Sequence, residues 1–201
     1  MRADIEVGAT FPAYEFTDHG RRRRSLSELQ GDEPMILVLS RGHFCPKDRR
    51  QLRNLVDLYP ELKVGYTRID TISTDNIIQT NEFRDALGAL GAQWPFLTAP
   101  ALKIQKDLEI QKYTDPHNDP IIPYTSVLEP GLKIFRIYNG YWYWYWGRPS
   151  TDDLRRDLRE MFQKIRPDWD ISNPELKAAW ERGERDRLFP YREGDQAKIA
   201  S

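Results

Sequence analysis

The chain contains one cysteine, Cys45, in 201 residues. A single cysteine excludes an internal disulfide and a self-sufficient two-thiol redox cycle, and it fits a reducing, cytoplasmic setting. Three histidines and that cysteine make no metal-ligand spacing, so neither a metal nor a cofactor is expected. Neither sign of charge dominates. Lys plus Arg number 30 against 31 Asp plus Glu, which leaves no basic field for nucleic acid and no acidic field typical of a disordered chain. No apolar run reaches membrane-spanning length, and Met1 to Glu6 lack the apolar stretch of a signal peptide, so no membrane partner is expected. No internal repeat is present. The length suffices for one domain with a full core and some extra chain.

What the sequence does have is centred on Ser40 to Leu52. This stretch follows the most apolar strand candidate, Met35 to Leu39. It leads into a helix whose apolar residues Leu52, Leu55, Val56 and Tyr59 recur at helical spacing. Pro46 suits the first helical position, where its missing N–H costs nothing. Cys45 is then the N-cap, facing unpaired backbone N–H groups and the positive end of the helix dipole. Such a position favours the nucleophilic thiolate form of a cysteine. The competing reading is an inert buried thiol.

Around this centre the elements follow in order. Residues 7 to 20 read as an extended lead-in closed by a turn at Asp18-His19-Gly20. Arg21 to Arg24 read as a solvated hairpin tip rather than an anion site, because no aromatics are interleaved. Ser25-Leu26-Ser27-Glu28 has capping-box spacing and opens a short helical turn. A break is expected at Tyr59-Pro60-Glu61, then a strand over 66–72 and a helix over 76–87. A short strand is expected at 94–97, one or two helical turns over 103–108, and a polar loop over 113–120. His117 in that loop could serve as a ligand beside Asp115 and Asp119, but a surface histidine is the favoured reading. Strands over 124–128 and 133–138 are joined by the turn Glu129-Pro130-Gly131. Ile122-Pro123 stands directly before them, and a cis peptide bond is expected there, with Pro123 close to Cys45. Tyr141 to Trp146 alternate tyrosine and tryptophan, so on a strand the two types would face opposite ways. This run is expected to be at least half buried, in the core, under the C-terminal extension or in a homodimer interface. Ser150 to Asp153 form a second capping box before an amphipathic helix carrying Leu154, Leu158, Met161, Phe162 and Ile165, which Pro167 stops. Asn173-Pro174 starts a further polar helix to about Arg187.

This order describes an α/β fold, a central mixed sheet with helices on both faces. The Cys-Pro helix start and the X-Pro before a hairpin suggest a thioredoxin-like fold. The expected division is a domain over 1–167 and a C-terminal helical extension and tail over 168–201.

Several stretches, in this order and spacing, carry a family resemblance: Phe11-Pro12-Ala13-Tyr14-Glu15-Phe16, Ser25 to Gly31, Arg41-Gly42-His43-Phe44-Cys45-Pro46, Ile72-Ser73-Thr74-Asp75, Ile122-Pro123-Tyr124-Thr125 and Gly147-Arg148-Pro149-Ser150. From about Val7 to Ile165 the chain resembles peroxiredoxin-like proteins of the alkyl hydroperoxide reductase C and thiol-specific antioxidant group. The resemblance implies a thioredoxin fold with an N-terminal extension, and a thiol peroxidase with Cys45 as the peroxidatic residue, a peroxide substrate and no cofactor. Arg148 matches the arginine that precedes the family's last helix. Asp48 stands where many members have glutamate and would hold an arginine, with Arg148 the first candidate and Arg41 the second. Pro46, His43, Phe44 and Pro123 are placed around the substrate. Val38 and Gly42 stand where the family signature has proline and threonine. Another branch reads Arg-Gly-x-Trp-Cys-Pro-x-Cys, and here Asp48 replaces its second cysteine. The sulfenic acid formed would therefore need an external thiol, from a thioredoxin-like protein or a small thiol. The reading from a different class is a thioredoxin-fold interaction module that uses the aromatic run and the C-terminal extension.

Overall fold

A computed structural model of the chain describes residues 1–99, 103–115, 117–140 and 148–184. The aromatic run 141–146 lies outside the described residues. The chain forms two compact units, the first ending at Leu154 and the second beginning at Arg155.

The first unit is built on β3 (Met35–Leu39), preceded by β1 (Glu15–Asp18), β2 (Arg23–Ser25) and α1 (Leu26–Gln30). Every residue of β3 is buried, as expected of a central strand flanked on both sides. It pairs in parallel with β4 (Arg68–Ser73) and antiparallel with β6 (Tyr124–Glu129). With β5 (Phe96–Thr98) and β7 (Lys133–Asn139) the strands make one mixed seven-stranded sheet in the order β2-β1-β5-β4-β3-β6-β7. The helices between them are α2 (Pro46–Val64), α3 (Ile77–Asp85) and α4 (Lys103–Asp107). Phe11, Leu26, Met35, Leu37, Leu39, Ile72 and Tyr124 belong to one buried apolar cluster that holds the end of β3 in place. Such burial stabilises by about 1.5–3 kcal/mol per large side chain.

Several boundaries follow from local chemistry. Ser25 caps α1 by accepting the Glu28 N–H at 3.1 Å, while the Glu28 carboxylate pairs with Arg24. Asn76 and Gln79 complete a capping box at α3. Ser150 and Asp153 form another, with the Asp153 N–H donating to Ser150 Oγ at 3.1 Å and the Ser150 N–H donating to Asp153 Oδ2 at 3.0 Å. The break expected at Pro60 does not occur, because α2 runs through it to Val64. Leu55, Leu58 and Leu62 continue one buried stripe past the proline, whose own side is exposed. That burial outweighs a cost of about 3 kcal/mol for an interior proline. The arginine run divides: Arg21 to Arg23 are exposed, and Arg22 and Arg23 pair with Asp18 and Glu15.

In the second unit, α5 (Thr151–Ile165), which begins in the first, ends before Pro167. Phe162 stacks on Trp169 with ring centroids 5.1 Å apart. A further helix, α6 (Pro174–Glu181), is capped by Asn173 and stops short of the expected Arg187, with Gly183 at φ +80° just beyond it. Among the described residues no helix is long and apolar enough to cross a membrane.

One buried group opposes the fold. Asp70, in the middle of β4 beside Leu37, is 1% exposed, and neither carboxylate oxygen has a hydrogen-bond partner. Burial pushes its carboxyl well above the usual range, against the pull of Arg24 and Arg68. The folded chain therefore keeps this proton through a window, above the ordinary carboxyl range, in which the unfolded chain has lost it. Stability must fall as pH rises through that window. Asp70→Asn, which cannot ionise, is expected to gain at least about 1 kcal/mol relative to wild type between pH 4 and pH 7. Thermal unfolding of both proteins at the two pH values measures this. An equal gap at both would show that Asp70 titrates alike in the folded and unfolded chains.

Candidate active site

The site forms where β3 ends. Ser40 continues the sheet, its N–H donating to the Ile72 carbonyl at 2.8 Å. The chain then turns through Arg41 to Phe44 and enters α2 with Cys45 as N-cap and Pro46 in the first turn. Cys45 is 2% exposed. Its backbone is extended, and its side chain makes no capping bond, so Sγ remains available to other partners.

Those partners are two guanidinium groups. Arg41 Nη1 lies 3.9 Å from Sγ and Arg148 Nη2 lies 3.8 Å from it. Each arginine is held by a carboxylate. Arg148 Nε donates to Asp48 Oδ1, an ion pair in which the side chains are 8% and 1% exposed. Arg41 Nη2 donates to Asp115 Oδ2 at 3.1 Å. Asp48 sits one turn into α2, and its Oδ2 also accepts from the Arg41 N–H at 2.6 Å and from Ser40 Oγ at 3.2 Å. It thus fixes both the loop and Arg148, and its carboxylate is turned to these donors.

Asp115 belongs to a loop pinched at its neck by the Gln111–Ile121 bridge and by the Ile122 N–H donating to the Ile110 carbonyl at 2.7 Å. Partial desolvation pushes the Asp115 carboxyl up. Hydrogen bonds from Asn118 and the charges of Arg41 and Lys112 outweigh it and hold the group below its ordinary value. Lys112, on the same loop, has its ammonium shifted down, first by burial and then by Arg41, with Asp115 and Cys45 opposing.

A third carboxylate shapes the turn. Asp75 Oδ2 accepts from the His43 N–H at 2.8 Å, and Asp75 Oδ1 lies 2.7 Å from His43 Nδ1. Ser73 Oγ donates to Asp75 as well, at 3.1 Å. Gly42 passes against this carboxylate with φ +115°, and a Cβ built there would meet Asp75 Oδ1 at 2.6 Å.

The sulfur opens on a pocket of about 340 Å³, lined in part by Arg41, Cys45, Pro46, Lys112, Pro123 and Arg148. The structure therefore gathers five of the eight expected site residues at one cavity. Asp48 lies behind the arginines. His43 and Phe44 lie on the other side of the turn and do not line the pocket: His43 is bonded to Asp75, and the Phe44 ring lies under Arg41 at 5.3 Å. Arg49, on the same helix face as Cys45, donates to the His43 carbonyl at 3.0 Å and covers the Phe83 ring.

One expectation needs correction. There is no cis peptide bond among the described residues, so Ile122-Pro123 is trans. The trans form is the lower in energy for X–Pro bonds. Here Pro123 directly precedes β6, and no turn forms at 122–123. Pro123 nonetheless reaches the pocket, and the Gly140 N–H donates to its carbonyl at 2.8 Å. His117 is exposed, as favoured, while Asp115 takes part in the site through Arg41. Asp75, Lys112 and the role of Asp115 went unread in the sequence. Asp75 does stand in one of the matching stretches. The other two lie more than sixty residues from Cys45, in a loop without periodicity, and only the fold brings them there.

Known proteins resemble the chain in sequence pattern and in fold. The sequence model described as the AhpC/TSA family matches residues 7–136. No curated protein sequence matches the chain. Among solved structures, the peroxidoxin BcpB of Mycobacterium tuberculosis is similar at 18% identity and TM-score 0.67, covering 78% of this chain and 97% of its own. Reduced Prx3 of Vibrio vulnificus in complex with hydrogen peroxide is similar at 17% identity and TM-score 0.68, over 78% of this chain and 98% of its own. A yeast mitochondrial 1-Cys peroxiredoxin is similar at 13% identity and TM-score 0.63, over 80% of this chain and 78% of its own. At such identities the likeness establishes the fold, a thioredoxin-like one.

The tightness of the turn is open to test. Gly42→Ala places a methyl group against the Asp75 carboxylate at a φ that favours glycine. It is expected to cost about 2 kcal/mol or more. Urea unfolding measures it, and Gly42→Ala combined with Asp75→Ala should recover part of the clash but not the backbone strain.

Proposed function

The chain belongs to the AhpC/TSA family, and on that premise we propose that it is a thiol-dependent peroxidase of one-cysteine type, with Cys45 as its nucleophile. The observation that carries this reading is the position of Sγ between Arg41 and Arg148, at the start of α2 and at the wall of a pocket. The Cys45 sulfur, as thiolate, attacks the terminal oxygen of a hydroperoxide. An S–O bond forms, the O–O bond breaks, and its electron pair leaves on the second oxygen, which takes a proton from solvent. Sulfur is oxidised by two electrons to sulfenic acid, and the peroxide is reduced to an alcohol or to water. Negative charge starts on sulfur and ends on the departing oxygen, so the two guanidinium groups stabilise it along the path. Because their carboxylate partners hold them in place beforehand, little reorganisation is needed at the moment of reaction.

The sulfenic acid then meets an external thiol, since the chain has no second cysteine. The first thiol forms a mixed disulfide with loss of water. A second thiol releases Cys45 and leaves as its own disulfide. The yeast 1-Cys peroxiredoxin is described as resolved through glutathione and thioredoxin systems. A small thiol or a thioredoxin-like protein in a reducing, cytoplasmic setting is the corresponding reductant here. In this reading residues 1–167 carry the chemistry and 168–201 extend it.

The test is peroxide consumption in the presence of a small thiol. Wild type should turn over, and Cys45→Ser should fall to background. Dimedone should label Cys45 only after peroxide is added, and no label would end the peroxidase reading. Arg148 is best probed by lysine. Methionine there would leave Asp48 buried without its cation, at a cost of about 3–5 kcal/mol. Lysine keeps the charge but cannot reach Asp48 and Sγ at once as the guanidinium does. Arg148→Lys is expected to slow Cys45 oxidation about 10–100-fold with a smaller loss of stability than Arg148→Met, as measured by stopped-flow oxidation and thermal unfolding.

A further inference from the structure

Hydrogen peroxide, close to water in size, fills a small part of the Cys45 pocket. A water molecule's share of liquid volume is about 30 Å³, against about 340 Å³ here. The pocket volume falls within the range for small organic ligands, about 300–1,000 Å³. Its wall is mixed, with Gln111, Tyr113 and Thr114 among its uncharged polar members. Pro46, Ile122 and Pro123 supply an apolar side next to Cys45. Arg41, Lys47, Lys112 and Arg148 also line it, while no carboxylate does among the described residues. Two of these cations are already neutralised from behind, Arg148 by Asp48 and Arg41 by Asp115. Lys112 differs. Among the described residues no carboxylate comes within ion-pair distance of its ammonium, although it lies partly withdrawn from solvent. Asp115 acts on it only from beyond that distance, and a partly desolvated ammonium on a cavity wall with no carboxylate in direct contact is suited to an anionic ligand.

We propose that this pocket selects organic hydroperoxides that carry a carboxylate, with Lys112 as the residue that binds the carboxylate. The proposal rests on the peroxidase reading and adds its substrate class. The hydroperoxide end meets Cys45, the apolar stem lies along Ile122 and Pro123, and the carboxylate reaches Lys112. Reaction gives the sulfenic acid and a hydroxy acid, with the leaving alkoxide taking its proton from solvent. The carboxylate itself is unchanged.

The experiment measures single-turnover oxidation of Cys45 by three compounds: tert-butyl hydroperoxide, 4-hydroperoxy-4-methylpentanoate, and the methyl ester of that acid. The readout is the ratio of second-order rate constants for acid and ester, which a general loss of structure does not alter. Wild type should favour the acid by about tenfold. Lys112→Met should bring the ratio near one, and Lys112→Arg should keep most of it. A wild-type ratio near one, or a ratio unchanged in Lys112→Met, overturns the proposal while oxidation by tert-butyl hydroperoxide leaves the peroxidase reading standing. Failure of all three compounds to oxidise Cys45 overturns both. If Lys112→Met leaves the acid-to-ester ratio intact and instead slows reduction of the sulfenic acid by glutathione relative to cysteamine, the anion bound there is the reductant, and the proposal fails in that form.

Discussion

The Asp48 carboxylate is the constraint on which the site depends. It is buried, and it has three donors from two distant parts of the chain: Ser40 Oγ and the Arg41 backbone N–H where β3 gives way to the turn, and the Arg148 side chain before α5. An isolated buried charge would be expensive, and this one is tolerated because its oxygens are satisfied by a cation and oriented polar hydrogens. The consequence is geometric. Arg148 cannot swing away from Sγ without stranding Asp48, and the turn cannot relax without losing the same carboxylate. Two guanidinium groups are thereby kept near 4 Å from one sulfur, despite their mutual repulsion.

Two further carboxylates divide the remaining work. Asp115 answers the charge of Arg41 from a loop distant in sequence, and Asp75 fixes the turn from beneath through His43. All three stand behind the groups they hold, so the described wall of the pocket carries cations, apolar groups and uncharged polar groups but no carboxylate. The sheet makes this possible. β3 and β4 run in parallel and end side by side, which brings Ser40 and Ser73, and the turns that follow them, to the same edge.

Much of the frame was legible in the sequence because it is local. The buried run 35–39, Pro46 in the first turn, and the Ser150–Asp153 capping box each announce themselves within a few residues. So did Cys45, Asp48 and Arg148, through matching stretches whose order is kept. Less legible was whatever depends on competition between distant terms. Pro60 reads as a break until the buried stripe from Leu55 to Leu62 is weighed against it. Lys112 and Asp115 carry no local signal, because their position is a property of the loop neck that the 111–121 bridge closes. Ile122-Pro123 reads as a cis bond by analogy of place, and it is trans where the chain enters β6.

Gly42 occupies the place where the family signature has threonine, and it lies against Asp75 with no room for a Cβ. An added side chain would have to displace the Asp75 carboxylate from the His43 N–H and from Ser73 Oγ. The backbone path just before Cys45 is thus set by a carboxylate that follows β4, so a change made beyond the end of that strand would be felt at the thiol.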